Sequence, residues 1–216
     1  DAAVAGIDAN LERMIYRGAG DQLDGDVTLA EIPGAPTISG TGRPDLKDLF
    51  QLPAPHNEPF LKMMAHPAVI QRLNWMIGPG YKVTQNTALC HVQGSSGQML
   101  HSGNANPTCI GKHYAIVNGR VHTKSGINVA WQLNDVGPGD GGFVVIPGSH
   151  KSCYPMPHSV RTCNERAPIR HIPMRAGSVL FFLGGTVGHG AYRWEAESPR
   201  RTALFSYSHD GRRPFA

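Results

Sequence analysis

Two histidines and a pair of arginines are the residues of this chain best placed to do chemistry. His101 ends the run Met99-Leu100 and is followed by Ser102-Gly103-Asn104, and His189 sits in Val187-Gly188-His189-Gly190. Neutral imidazoles hold iron, copper or zinc ions, and glycines beside a histidine leave room for a metal and its other ligands. Arg200 and Arg201 follow His189 at the start of the last strand-like run. A guanidinium fork grips a carboxylate through two parallel hydrogen bonds, so an arginine in such a pocket suits a carboxylate co-substrate. Neighbours on a strand point to opposite faces, so only one of the two arginines can serve. Taken singly, each residue has an ordinary reading as a satisfied core histidine or a solvated strand end. Their joint meaning depends on a fold that brings distant segments together.

Other chemistries have less behind them. Ser102 and Ser149 lack a Ser-His-Asp partnership, which speaks against a hydrolase. Cys90 and His91 are adjacent and point to opposite faces of a strand. His150 reads as a turn cap, and His91, His122 and His171 as satisfied core or surface positions on strands. No G-x-x-x-x-G-K-[ST] phosphate loop occurs. Net charge is +4, but apart from Arg200-Arg201 and Arg212-Arg213 the basic residues are scattered, so no nucleic-acid stripe is expected. No run of 18 apolar residues exists, so no membrane span is expected. The four cysteines form no C-x-x-C pair and read as free thiols in a reducing compartment. The start, Asp1-Ala2-Ala3-Val4, carries neither an initiator Met nor a signal-peptide pattern, which reads as trimmed. A cytoplasmic location is the expectation.

The elements that must position these residues are mostly strands. With 26 Gly and 17 Pro among 216 residues, short strands and tight turns are favoured over a helical bundle. Ile7, Leu11 and Ile15 predict an amphipathic helix over residues 1–17. A short edge strand fits 27–32, and one or two helical turns fit 44–52. Phe60, Leu61, Met64, Val69, Leu73 and Ile77 predict a helix over 58–77, broken at His66-Pro67. From Tyr81 the period changes to that of strands, over 81–92, 112–117, 120–123, 126–133, 142–146, 169–173, 178–183 and 202–208. Asn118-Gly119 predicts a two-residue hairpin turn. About eight strands without intervening helices suggest a jelly roll. The expected organisation is one domain, with a helical and loop region over 1–80 packed on a core over 81–216.

The order of motifs carries a resemblance. His101 is followed by Gly139-Asp-Gly-Gly-Phe-Val-Val-Ile-Pro-Gly-Ser-His-Lys151, by Ala176-Gly-Ser-Val-Leu-Phe-Phe182, by His189-Gly190 and by Arg200-Arg201-Thr202-Ala203-Leu204. This resembles the phytanoyl-CoA dioxygenase family of iron(II)/2-oxoglutarate oxygenases, over about residues 60–208. The run Asn128–Asp135 is also similar to the strand that precedes the Pro-Gly-Ser-His corner there. The resemblance implies a mainly β, double-stranded β-helix (jelly-roll or cupin-like) with N-terminal helices packed on it. It implies iron(II) held by His101 and His189, and 2-oxoglutarate gripped by Arg201 or Arg200, with Arg201 fitting the arginine-x-alanine pattern better. His113, Tyr114, Asn128 and Trp131 are expected to line the same pocket. O2 and a small-molecule substrate complete the implied reaction.

One departure from the pattern is chemical. The family's first motif is His-x-Asp or His-x-Glu, whose carboxylate is the third iron ligand, whereas here the motif is His101-Ser102-Gly103. Gly103 has no side chain to coordinate with, and Asn104 is neutral. Asp135 and Asp140, the next carboxylates, fall at a strand end and in a turn. Three readings follow: a hydroxylating enzyme with two histidines and water or substrate on the metal, a halogenase with chloride in the vacated position, or a jelly roll that only binds a small ligand. Halogenases with this architecture resemble the present pattern in having Ala or Gly at the carboxylate position.

Overall fold

A computed structural model of the chain describes residues 2–17, 38, 40–101, 114–117, 120–123, 126–152 and 154–208. The N-terminal part contains α1 (Ala2–Asp8), the short strands β1 (Ile15–Arg17) and β2 (Arg43–Lys47), and the helices α2 (Glu58–Met64) and α3 (Pro67–Ile77). The expected break at His66-Pro67 is present: His66 is extended, and its Nδ1 caps α3 by accepting the Ala68 N–H. Strands then follow as β3 (Lys82–His91), β4 (Gln98–His101), β5 (Tyr114–Val117), β6 (Arg120–Thr123), β7 (Ile127–Gln132) and β8 (Gly142–Val145). After α4 (His158–Arg161) come β9 (Arg170–His171), β10 (Val179–Leu183), β11 (His189–Tyr192) and β12 (Arg200–Ser208).

Two antiparallel sheets face each other in a mainly β, double-stranded β-helix. One has six strands in the order β1-β2-β3-β12-β7-β10, the other four in the order β4-β11-β8-β9. The pairing β5–β6 has Val117 opposite Arg120, the register of a two-residue hairpin, while Asn118 and Gly119 lie outside the described residues. Alternation decides what each face of the large sheet does. Ala88, Cys90, Val129, Ala203, Phe205 and Tyr207 point outward and form a core with Ile7, Phe60, Val69 and Leu73 of α1–α3. The opposite face carries Thr87, His91, Asn128, Arg200 and Thr202, which line a cavity between the sheets. The outer side of the small sheet has its own core of Ile38, Leu100, Val144, Val160 and Ile169.

Two N-terminal expectations are corrected. The helix over 1–17 stops at Asp8, because the apolar positions beyond it are not covered: Ile7 is fully buried, whereas Leu11 and Ile15 are half-exposed. The chain then turns into β1. The expected helical turns over 44–52 are a strand followed by a short 3₁₀ turn, Leu49–Gln51. Here period-two alternation prevails, with Leu46 facing the helices and Arg43, Asp45 and Lys47 facing the cavity. The edge strand expected over 27–32 lies outside the described residues.

Strand β11 approaches β4 closely enough to set a steric limit. A Cβ on Gly190 would lie 2.5 Å from the Gln98 carbonyl oxygen and 3.0 Å from that of Met99. Gly190→Ala is expected to force the two strands apart and lower stability by about 1–3 kcal/mol, the usual range for overpacking. Urea denaturation with an unchanged m-value would check it.

Candidate functional site

The two histidines that stand far apart in sequence are opposite one another in space. His189 opens β11, His101 closes β4, and the two are register partners. Their ring centroids are 4.2 Å apart. Each ring makes the same local contact: His101 Nδ1 lies 3.1 Å from the Met99 carbonyl, and His189 Nδ1 lies 2.8 Å from the Val187 carbonyl. A carbonyl oxygen can only accept, so both Nδ1 atoms carry a proton, and in the neutral form of each ring Nε2 is the nitrogen with the lone pair. This is the arrangement in which the second ring nitrogen fixes the tautomer of a metal-ligating histidine.

The Pro147-Gly148 corner serves this pair. Ser149 Oγ accepts the Gly188 N–H at 2.8 Å and donates to the Ile146 carbonyl at 2.8 Å. The Ile146 N–H donates in turn to the Gly188 carbonyl. Ser149 thus ties the residue before His189 to β8. Phe143 and Phe182 pack against the His189 ring with centroids 5.9 and 4.7 Å away. His189 is 7% exposed. Burial, then the charge His101 would carry, push its pKa down from 6.5 to about 3, and the Val187 carbonyl opposes this. The ring is therefore neutral near pH 7, the form that binds a metal. Among the described residues, no group of three His, Cys, Asp or Glu side chains could hold a metal ion.

A cavity of ≈190 Å³ runs from the histidines to a cationic floor. Arg200 is 3% exposed, and its Nε has no hydrogen-bond partner among the described residues. Burial, then Arg43, lower its pKa to about 10, which leaves it charged. Gly142, at φ +84°, passes so close that a Cβ would lie 3.2 Å from Arg200 Nε. Beyond Arg200, Arg43 and Asp45 form a buried fork with contacts of 3.1 and 3.4 Å. His91 also lines the cavity and is 1% exposed.

The strand faces sort the expected site residues. His101, His189, Asn128 and Arg200 line the cavity. Arg201 faces the other way and donates to Asp8 of α1 at 2.9 Å, so the arginine facing the cavity is Arg200, against the motif-based preference. Trp131 also points away, with its ring edge-on to His66 at 5.6 Å. Three residues along β7 from Asn128, it must lie on the opposite face. Gly103 and His113 lie outside the described residues, and of Tyr114 only the backbone in β5 is described. Ser149, Arg43 and Asp45 were not singled out as site residues from the sequence. Arg43 and Asp45 could have been found by the alternation of charged and apolar residues over 43–47.

Two sheets facing each other across a cavity, with paired histidines at one end and a buried arginine at the other, define a cupin-like scaffold. Residues 80–202 match the model of the phytanoyl-CoA dioxygenase family, more than half of the chain, and the chain belongs to that family. No curated protein matches it in sequence. Among solved structures it is similar to HygX from Streptomyces hygroscopicus with nickel, 2-oxoglutarate and hygromycin B bound (TM-score 0.67, 17% identity, covering 98% of this chain and 80% of that one). It is also similar to SnoK, a non-heme α-ketoglutarate-dependent carbocyclase from nogalamycin biosynthesis (TM-score 0.62, 16% identity, covering 96% and 72%). SnoN, an epimerase from the same biosynthesis, gives a TM-score of 0.61 at 18% identity, covering 96% and 74%. At these identities the likeness is one of fold.

The neutral state of His189 has a pH consequence. The unfolded chain takes a proton on this residue below about pH 6.5, and the folded chain only near 3, so between these values unfolding binds a proton and stability rises with pH. His91 is shifted in the same direction by burial, then Arg200 and Arg43. The metal-free protein is expected to lose stability as pH falls from about 6.5 to about 5, above the range where ordinary carboxylates titrate. His189→Leu should flatten this slope in urea titrations, and an unchanged slope would contradict the assignment.

Proposed function

We propose that the protein binds iron(II) and 2-oxoglutarate and uses O2 to oxidise an aliphatic C–H bond of a small molecule. The observation that carries this reading is the pair of facing histidines, held by matching Nδ1–carbonyl contacts at one end of a cavity whose other end holds the buried Arg200, its Nε without a partner among the described residues. The residues fit the two groups. His101 and His189 would supply two neutral nitrogen ligands. Arg200 would take the far carboxylate of 2-oxoglutarate by a charge-assisted fork. Iron and 2-oxoglutarate, when bound, supply the oxidising power drawn from O2. The chain's own residues hold the ring nitrogens at one fixed separation, fix their tautomers and exclude water with Phe143 and Phe182.

Family membership supports the co-substrate, and similar folds that bind it support the same reading: HygX carries nickel and 2-oxoglutarate, or iron. SnoK and SnoN are a carbocyclase and an epimerase, so this architecture serves outcomes other than hydroxylation. Gly103 favours a second outcome, halogenation. With no anionic side chain at this position, His101 and His189 would be the protein ligands, and water or chloride could complete the set when a metal is bound. Asn128 at the cavity wall is the candidate for contact with the co-substrate among the remaining expected residues, with His113 and Tyr114 as further candidates from the sequence pattern.

Anaerobic addition of iron(II) and 2-oxoglutarate is expected to give a weak visible charge-transfer band that His101→Ala and His189→Ala both abolish. Its persistence in either variant would remove the basis for the site. For a halogenase, added chloride gives chlorinated product, and Gly103→Asp suppresses that product by filling the open position. A hydroxylated product with chloride present, unchanged by the substitution, would exclude halogenation. A purely ligand-binding protein would consume no 2-oxoglutarate and would bind its ligand without iron.

A further inference from the structure

The cavity floor contains more than Arg200. His91 is 1% exposed, lines the cavity, and neither of its ring nitrogens has a hydrogen-bond partner among the described residues. An unpaired buried polar group costs about 1–3 kcal/mol, so such a group calls for an explanation. Its position offers one. His91 on β3 is the direct register partner of Arg200 on β12. On the other side of β3, Asp45 pairs with Leu89, and carrying that register on by two residues sets Arg43 opposite His91. Arg43, His91 and Arg200 therefore form a row across three adjacent strands, all on the cavity face.

The charge of this row is defined. Arg43 is paired with Asp45, which leaves the Arg200 guanidinium as the uncompensated cation of the row. His91 adds no charge, because burial and the two arginines hold it neutral. With Arg43 paired to Asp45, and with Arg200 Nε and the His91 ring lacking hydrogen-bond partners among the described residues, the row matches a single carboxylate. A neutral imidazole always carries one N–H, and a carboxylate accepts several hydrogen bonds.

We propose that His91 is a second binding residue for the far carboxylate of 2-oxoglutarate, donating one hydrogen bond beside the fork of Arg200, on a floor whose charge is set by Arg43 and Asp45. This rests on the 2-oxoglutarate reading above and extends it. Arg43 and Asp45 come from β2, outside the residues matched to the family, so this part of the receptor is built by the chain's N-terminal segment. The row also implies selectivity. A 2-oxo acid with a second carboxylate can engage both Arg200 and His91, whereas a monocarboxylate such as 2-oxovalerate leaves both unpartnered.

Calorimetric titration of the anaerobic, Mn(II)-loaded protein with 2-oxoglutarate and with 2-oxovalerate tests this without turnover. His91→Leu replaces an unpartnered polar ring with an apolar side chain, so the melting temperature should hold or rise. The variant should bind 2-oxoglutarate at least tenfold more weakly and 2-oxovalerate as the native protein does. His91→Gln, which keeps a donor, should recover most of the lost affinity. Equal weakening of both ligands, or no weakening of either, would overturn the role of His91. Arg200→Ala separates this from the underlying reading: if it leaves 2-oxoglutarate affinity unchanged, the co-substrate does not lie on this floor at all. If Arg200→Ala abolishes binding while His91→Leu does not weaken it, only the His91 proposal fails.

Discussion

The site depends on one cross-strand register, the pairing of His189 on β11 with His101 on β4. A shift of one residue would turn one imidazole to the opposite face and leave no pair. Three features keep the register. Gly190 lets β4 come close, Ser149 ties the backbone before His189 to β8, and β11 pairs on its far side with β8 over four residues, from His189↔Val145 to Tyr192↔Gly142. The Pro-Gly-Ser-His corner is thus part of the mount of a metal-binding histidine in this reading. Its serine does the holding, although the corner's histidine is the more obvious chemical residue.

The second dependence is electrostatic. The large sheet turns its apolar side outward to α1–α3 and its polar side inward, the reverse of a sheet that covers a hydrophobic core. Keeping Arg200 charged in a buried place is expensive unless an anion or a paired group compensates it. Asp45 compensates Arg43 and leaves the Nε of Arg200 without a partner. In the proposed reading, this imbalance is met by the anionic end of the co-substrate, with the histidine pair at the opposite end of the cavity.

Much of this was legible in the sequence, and for identifiable reasons. The strands β3, β5 to β10 and β12 follow period-two patterns and were expected, whereas β4 and β11, which carry the two histidines, were not; the motifs around His101, His189 and the final arginines have distinctive order. The break between α2 and α3 follows from Pro67. What stayed hidden depended on tertiary pairing. Arg200 and Arg201 are indistinguishable by type, and only the register of β12, with Phe205 and Tyr207 fixed in the helix-covered core, turns Arg200 inward. Trp131 was grouped with Asn128 although the odd spacing between them demands opposite faces. Residues 44–52 were read as one or two helical turns, yet the pairing of β2 to β3 supplies Arg43 and Asp45 to the cavity. His91 looked like an ordinary core histidine until its lack of partners could be seen.

The central claim is that His101 and His189 hold one metal through Nε2 while Arg200 takes the far end of 2-oxoglutarate. A crystal structure of the protein grown anaerobically with Mn(II) and 2-oxoglutarate tests it most directly. The account predicts one metal ion bonded to Nε2 of both histidines, chelated by the 2-oxo acid, with the distal carboxylate on Arg200. A metal bound elsewhere, or a distal carboxylate on Arg201, would contradict it.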